Sequence, residues 1–68
     1  MHIRDYLDKH GLSQEAFAKM LGLSQGAVHF WVSGRFRVSA ENARLIERVT
    51  SGEITAAELR PDLFGEAA

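Results

Sequence analysis

Residues 14–34 have the sequence QEAFAKMLGLSQGAVHFWVSG, and this stretch decides the fold. Apolar residues recur at helical spacing on both sides of Gly22-Leu23-Ser24, which predicts two short helices joined by a tight turn. Glycine at the end of the first helix allows left-handed backbone at little cost, and Ser24 is a suitable N-cap for the second helix. Ala18 is small enough to let the two helices cross closely. The pattern predicts a helix-turn-helix over residues 14–34.

The flanking segments have the same helical periodicity. Apolar residues at helical spacing predict a first helix before the motif, and Ser39 is placed to cap a fourth helix after it. Thr55 and Glu58 form a capping box that begins a short fifth helix. We expect this helix to stop near Arg60, because Pro61 disfavours helical backbone at the residue before it. No alternating apolar run indicates a strand, so the expected fold class is all-α, with five helices.

Length and composition limit the protein further. The chain has 68 residues, 46% of them apolar, which predicts a single domain over residues 1–68 with a frayed tail at 65–68. There is no cysteine, and no two of the three histidines have the helical spacing of a metal pair. We therefore expect no metal, no cofactor and no small-molecule ligand. The charged opening and the short apolar runs predict a cytoplasmic protein without a membrane partner.

The charges are distributed unevenly along the chain. The formal net charge of −1 alone gives no reason to propose nucleic acid as a partner. However, residues 1–48 carry a net charge of +2 and residues 49–68 one of −3. No acidic residue occurs between Ala16 and Ala40, a window that contains three cationic residues and a histidine. A phosphate backbone responds to such a local basic stretch rather than to the net charge.

The motif also has a family resemblance. Residues 12–28, LSQEAFAKMLGLSQGAV, resemble the helix-turn-helix of the lambda-repressor-like domains, Cro proteins especially. The features that resemble the YdaS-type Cro-like regulators of bacterial prophages are Trp31 and residues 34–39 (GRFRVS), 46–52 (IERVTSG) and 59–62 (LRPD). The resemblance covers about residues 3–64. It implies a five-helix domain, a bacterial or phage origin, operator binding and transcriptional repression, and some YdaS-type members are labelled antitoxins.

On this basis the second helix of the motif is expected to lie in the DNA major groove. The candidates for contact with base edges are Ser24, Gln25, Gly26, His29 and Phe30. Gln25 has the amide that pairs with adenine through two hydrogen bonds. Gly26 either allows a close approach to the bases or marks a tolerant site. Phe30 either touches a thymine methyl group or folds back onto the loop that follows, and Trp31 is expected in the core.

Phosphate contacts are expected beside these residues. The candidates are Gln14, Lys19, Arg35 and Arg37. The resemblance places Gln14, at the amino end of the first motif helix, where Cro-like proteins commonly touch the DNA backbone. Arg35 and Arg37 follow the second motif helix, and alternate residues of an extended loop point the same way. Four such contacts predict weak, strongly salt-dependent binding by a monomer.

A weak homodimer completed on DNA is the expected assembly, because one helix-turn-helix recognises only one half-site. The apolar residues considered for its interface are Ile54, Leu59, Leu63 and Phe64, with Val32 and Phe36 as additions. Some of these must close the core instead, and the pattern does not separate the two groups. A protein-interaction module, antitoxin-like or an adaptor with an unknown partner, is the main alternative. Catalysis is not expected, since nothing orients a base beside the possible Ser24–His29 pair.

Overall fold

Six helices follow one another in the computed structural model, which describes residues 1–65. They are α1 (Ile3–His10), α2 (Gln14–Leu21), α3 (Gln25–Val32), α4 (Ala40–Val49), α5 (Ala56–Leu59) and α6 (Pro61–Phe64). This part of the chain contains no strand, so the predicted all-α class is confirmed. None of these helices is long and apolar enough to cross a membrane. We expect residues 65–68 to fray, and residues 66–68 of this tail lie outside the described part of the chain.

Side-chain caps begin the helices where the sequence predicts them. The hydroxyls of Ser13, Ser24 and Ser39 each accept a hydrogen bond from a backbone amide three residues further on, at 3.0, 3.3 and 3.2 Å. Thr55 and Glu58 form the predicted capping box, in which each side chain bonds to the backbone amide of the other residue. These bonds satisfy amides that the first turn of a helix leaves without a partner. The helix starts are therefore set locally.

A sixth helix at the end of the described chain was not expected from the sequence. The fifth helix ends at Leu59, close to the expected stop, but Pro61 then begins α6. Proline lacks an amide hydrogen, and the first residue of a helix needs none. Pro61 therefore both prevents α5 from continuing and starts the next turn of helix.

The core lies where the helices meet. Phe17 on α2, Val28 on α3, Ile46 on α4 and Ile54 before α5 have no exposed surface. Ile54 was one of the four residues considered for a dimer interface. Its burial corrects that assignment, because a side chain without exposed surface cannot contact a partner. The sequence pattern did not separate core residues from interface residues, and the structure places Ile54 in the core.

A buried threonine joins the end of α4 to the segment before α5. The Thr50 hydroxyl donates to the carbonyl oxygen of Ile46 at 2.8 Å and accepts from the amide of Ile54 at 3.1 Å. Nearby, the Glu47 carboxylate accepts from the amide of Ala56 at 2.6 Å. The Thr50 hydroxyl and the Glu47 carboxylate thereby satisfy backbone amides of the segment that closes the core. These bonds tie that segment to the end of α4.

Substituting Thr50→Val is expected to lower the free energy of unfolding by about 1–3 kcal/mol, because it leaves the buried amide of Ile54 without an acceptor. Urea unfolding followed by circular dichroism measures the change. Thr50→Ser is the matched control: it keeps the hydroxyl and should retain more of the stability. Equal stability of Thr50→Val and the unsubstituted protein would contradict this role of the hydroxyl.

Candidate nucleic-acid interface

Helices α2 and α3 pack against each other across a three-residue turn. Gly22 has left-handed backbone, with a φ of 72°. The amides of Gly22 and Leu23 bond back to the carbonyl oxygens of Lys19 and Ala18, at 3.2 and 2.9 Å. These bonds close the end of α2 and aim the chain into α3. The arrangement is the predicted helix-turn-helix.

The first turns of α3 form an exposed polar surface. Ser24, Gln25, Gly26 and His29 are all exposed, whereas Val28, within the same turns, is fully buried. Four of the five predicted base-contacting residues are thus exposed at the amino-terminal end of α3 and at its cap. The hydroxyl of Ser24 is engaged in capping, because it accepts from the amide of Ala27. Its proton remains available to an outside acceptor.

Phe30, the fifth candidate, packs onto the loop after α3. Its ring lies 5.2 Å from that of Phe36, edge to face, and the Arg35 guanidinium lies 5.6 Å from its centre. Its carbonyl oxygen also accepts from the amides of Arg35 and Phe36, at 2.9 and 3.4 Å. Of the two arrangements considered for Phe30, this is the one folded back onto the loop. Trp31 is half-buried against the core, as expected.

Nothing inside the protein requires a glycine at position 26. Its φ is not positive, and a Cβ atom there would meet no atom nearer than the Ser24 hydroxyl oxygen, at 3.9 Å. By contrast, Gly22 needs glycine for its left-handed backbone. An exposed helical glycine destabilises a helix by about 1 kcal/mol relative to alanine. The fold therefore gives no reason for a glycine at position 26.

The four predicted phosphate-contacting residues differ in how they are held. Gln14 is half-buried at the first position of α2, and Lys19 is exposed, 3.7 Å from Glu15. Arg35 lies over Phe30. The exposed Arg37 lies 3.5 Å from the carboxylate of Asp62. The loop after α3 thus presents two exposed guanidinium groups.

Sequence reasoning missed an ion-pair cluster behind this loop. Arg60 donates to both carboxylate oxygens of Asp62, at 3.0 and 2.8 Å, and to the carbonyl oxygen of Val38 at 3.0 Å. The hydrogen bonds from Arg60, together with the charges of Arg60 and Arg37, lower the pKa of Asp62 to about 2. The same pairing raises the pKa of Arg60. The hint in the sequence is that Arg60 and Asp62 flank Pro61. This pattern is too short to predict that Arg60 also bonds to the backbone of Val38.

The fold and the exposed face of α3 define a small helix-turn-helix domain. The model of a family described as "Bacterial toxin YdaS" matches residues 3–68, and the chain belongs to this family. Over 50 residues, 74% of this chain and 51% of the relative, it is 44% identical to a protein of Escherichia coli (strain K12) named "Putative transcriptional regulator YdaS". The chain thus spans about half the length of this curated relative. No solved structure matches the chain.

These matches confirm the YdaS-type resemblance found in the sequence. The two descriptions differ in the role they name, since one says toxin and the other transcriptional regulator. Both are descriptions of relatives.

Substituting Gly26→Ala is expected to raise the free energy of unfolding by about 0.5–1 kcal/mol, because alanine favours helix and its methyl group enters open space. Gly22→Ala is the matched control and should lower stability by about 1–2 kcal/mol, since it forces a Cβ atom into left-handed backbone. Urea unfolding of both variants measures the changes. A destabilising Gly26→Ala would show that the fold itself needs this glycine.

Proposed function

We propose that this chain is a sequence-specific, double-stranded DNA-binding transcriptional regulator whose helix α3 enters the major groove. The observation that carries the proposal is the exposed polar surface of α3, which is followed by a loop with Arg35 and Arg37. The sequence from Ala16 to Ala40, which includes both, contains no acidic residue. Base edges are recognised by hydrogen-bonding side chains, and phosphates attract cations. The name of the Escherichia coli relative supports the same class of function.

In this proposal the residues divide the work. Ser24, Gln25 and His29 contact base edges, and Gly26 lets the α3 backbone approach them closely. Phe30 acts indirectly, since it supports the loop that carries the arginines. The phosphate contacts are made by Gln14, Lys19, Arg35 and Arg37. The domain needs no cofactor and performs no catalysis for this task, and it acts in the bacterial cytoplasm.

The finer proposal is a prophage repressor of Cro type that binds a palindromic operator as a weak dimer. Two-fold dimers place their recognition helices about 34 Å apart. In the part of the chain that the structure describes, no helix is longer than the ten residues of α4. The absence of a longer helical seam there suits a weak dimer that forms fully only on DNA.

The interface candidates differ in how available they are. Leu63 and Phe36 are more than half exposed, at 52% and 58%. Leu59 and Phe64 are half-buried against the core, and Arg44 lies 4.9 Å over the Phe64 ring. Leu63 and Phe36 are therefore the first residues to test in a dimer interface.

A protein-interaction module remains the second candidate function. The toxin in the family's description and the net charge of −3 over residues 49–68 favour it. An antitoxin or adaptor of this kind would use the acidic end of the chain for its partner. It would have no need of an exposed Gln25 or of the two loop arginines.

Two substitutions separate the recognition of base sequence from the general attraction to DNA phosphates. Gln25→Ala is expected to remove about 1–3 kcal/mol of discrimination at one base pair while leaving affinity for random DNA almost unchanged. Arg35→Ala should weaken binding to all sequences alike. It should also reduce the slope of log affinity against log salt concentration by about one. Fluorescence anisotropy with specific and random duplexes at several salt concentrations measures both. A change of sequence preference alone in Arg35→Ala would contradict this division.

The stabilising variant Gly26→Ala tests the close approach. If the α3 backbone lies against the bases, this variant should bind operator DNA more weakly although its fold is more stable. Unchanged affinity would assign Gly26 to a tolerant site.

Selection of bound sequences from random duplex DNA at two salt concentrations tests the function as a whole. We expect a two-fold symmetric site with half-sites about one helical turn apart. Recovery of unrelated sequences that are lost alike as salt rises would indicate non-specific binding. The protein-partner function would then take precedence.

A further inference from the structure

Asp62 lies between Arg60 and Arg37. Arg60 also bonds to the backbone of the loop after α3 at Val38, whereas Arg37 is an exposed residue of that loop. We propose that Asp62 competes with DNA phosphate for Arg37 and thereby lowers the affinity of the domain for DNA. The inference rests on the proposed function, because it assumes that Arg37 contacts the DNA backbone. It assigns to α6 a part in setting how tightly the α3 surface binds.

The geometry distinguishes a fixed arginine from a releasable one. Arg60 makes two hydrogen bonds to Asp62 and one to the Val38 carbonyl oxygen, and its side chain is only 18% exposed. Arg37 reaches a single oxygen of Asp62 at 3.5 Å, and its side chain is 73% exposed. Arg60 therefore stays with the carboxylate, whereas Arg37 can leave it without uncovering a buried charge.

Competition follows from the chemistry of the guanidinium group. A phosphate oxygen and a carboxylate oxygen are acceptors for the same N–H groups, so the N–H that Arg37 turns toward Asp62 is not available to phosphate at the same time. Exposed ion pairs are weak, so we expect this competition to reduce the affinity by roughly 1.5- to 5-fold.

The opposite role for Asp62 makes an opposite prediction. If Asp62 instead held Arg37 in the orientation that DNA needs, its removal would weaken binding. The sign of the effect therefore decides between competition and positioning.

The experiment compares two substitutions that remove the same charge. Asp62→Asn keeps an oxygen acceptor for Arg60, which also retains its bond to Val38. Glu53→Gln is the matched control, since Glu53 is paired with Lys9 at 2.6 Å and His10 at 3.0 Å rather than with a predicted DNA contact. The probe is a 20-base-pair random-sequence duplex at low and moderate salt, followed by fluorescence anisotropy.

We expect Asp62→Asn to bind this duplex about 1.5- to 5-fold more tightly than Glu53→Gln. In an Arg37→Gln background the advantage of Asp62→Asn should disappear, because no guanidinium remains to be released. Equal affinity of the two single variants, weaker binding by Asp62→Asn, or an advantage that persists without Arg37 would each overturn the inference.

A measurement on the unsubstituted protein covers the case in which Asp62→Asn does not fold. The carboxyl ¹³C signal of Asp62 should move when the duplex saturates the protein, while that of Glu53 stays in place. A stationary Asp62 signal would overturn the inference and leave the proposed function intact. Failure of the unsubstituted protein to bind the duplex at low salt would overturn both.

Discussion

The candidate interface depends on the burial of one side chain, Val28, on a helix that is otherwise partly or wholly exposed. Helix α3 has eight residues, and Val28 is the one that is fully buried. A helix this short is not stable alone in water, so its packing against the core must supply what its length does not. Around Val28, half-buried Trp31 and Val32 widen the contact with the core. The polar residues of α3 can remain exposed because Val28, Trp31 and Val32 carry the packing.

The loop after α3 and the end of the chain form one unit. Arg60 ties α6 to the backbone of that loop through Val38, and Phe30 supports the same loop from α3. The position of Arg37 is therefore tied to elements on both sides of it. Asp62 of the acidic C-terminal segment thus pairs with Arg37 of the basic loop, in a chain whose net charge is −1. The charges oppose each other locally, beside the surface that would meet DNA.

Local signals predicted much of this architecture. The serine caps, the capping box at Thr55 and the left-handed glycine after α2 act within a few residues, so the sequence alone indicates them. The prediction was incomplete at Pro61. Proline disfavours helical backbone at the residue before it, which correctly predicted the end of α5, but it did not predict that α6 begins at Pro61. The sequence distinguishes the exposed residues of α3 from Val28 and Trp31 by their polar or small side chains. Helical spacing alone does not, because Gln25 and Val28 are three positions apart and therefore neighbours on the helix surface.

By itself, the sequence determined the all-α class and the helix-turn-helix at 14–34, because these depend on periodicity and on caps. Only the tertiary structure decided that Ile54 belongs to the core, that Phe30 packs against Phe36, and that Asp62 lies between Arg60 and Arg37. Each of these is a choice between two environments open to the same side chain. Packing across segments makes that choice, and the spacing of residues along one segment contains no information about it.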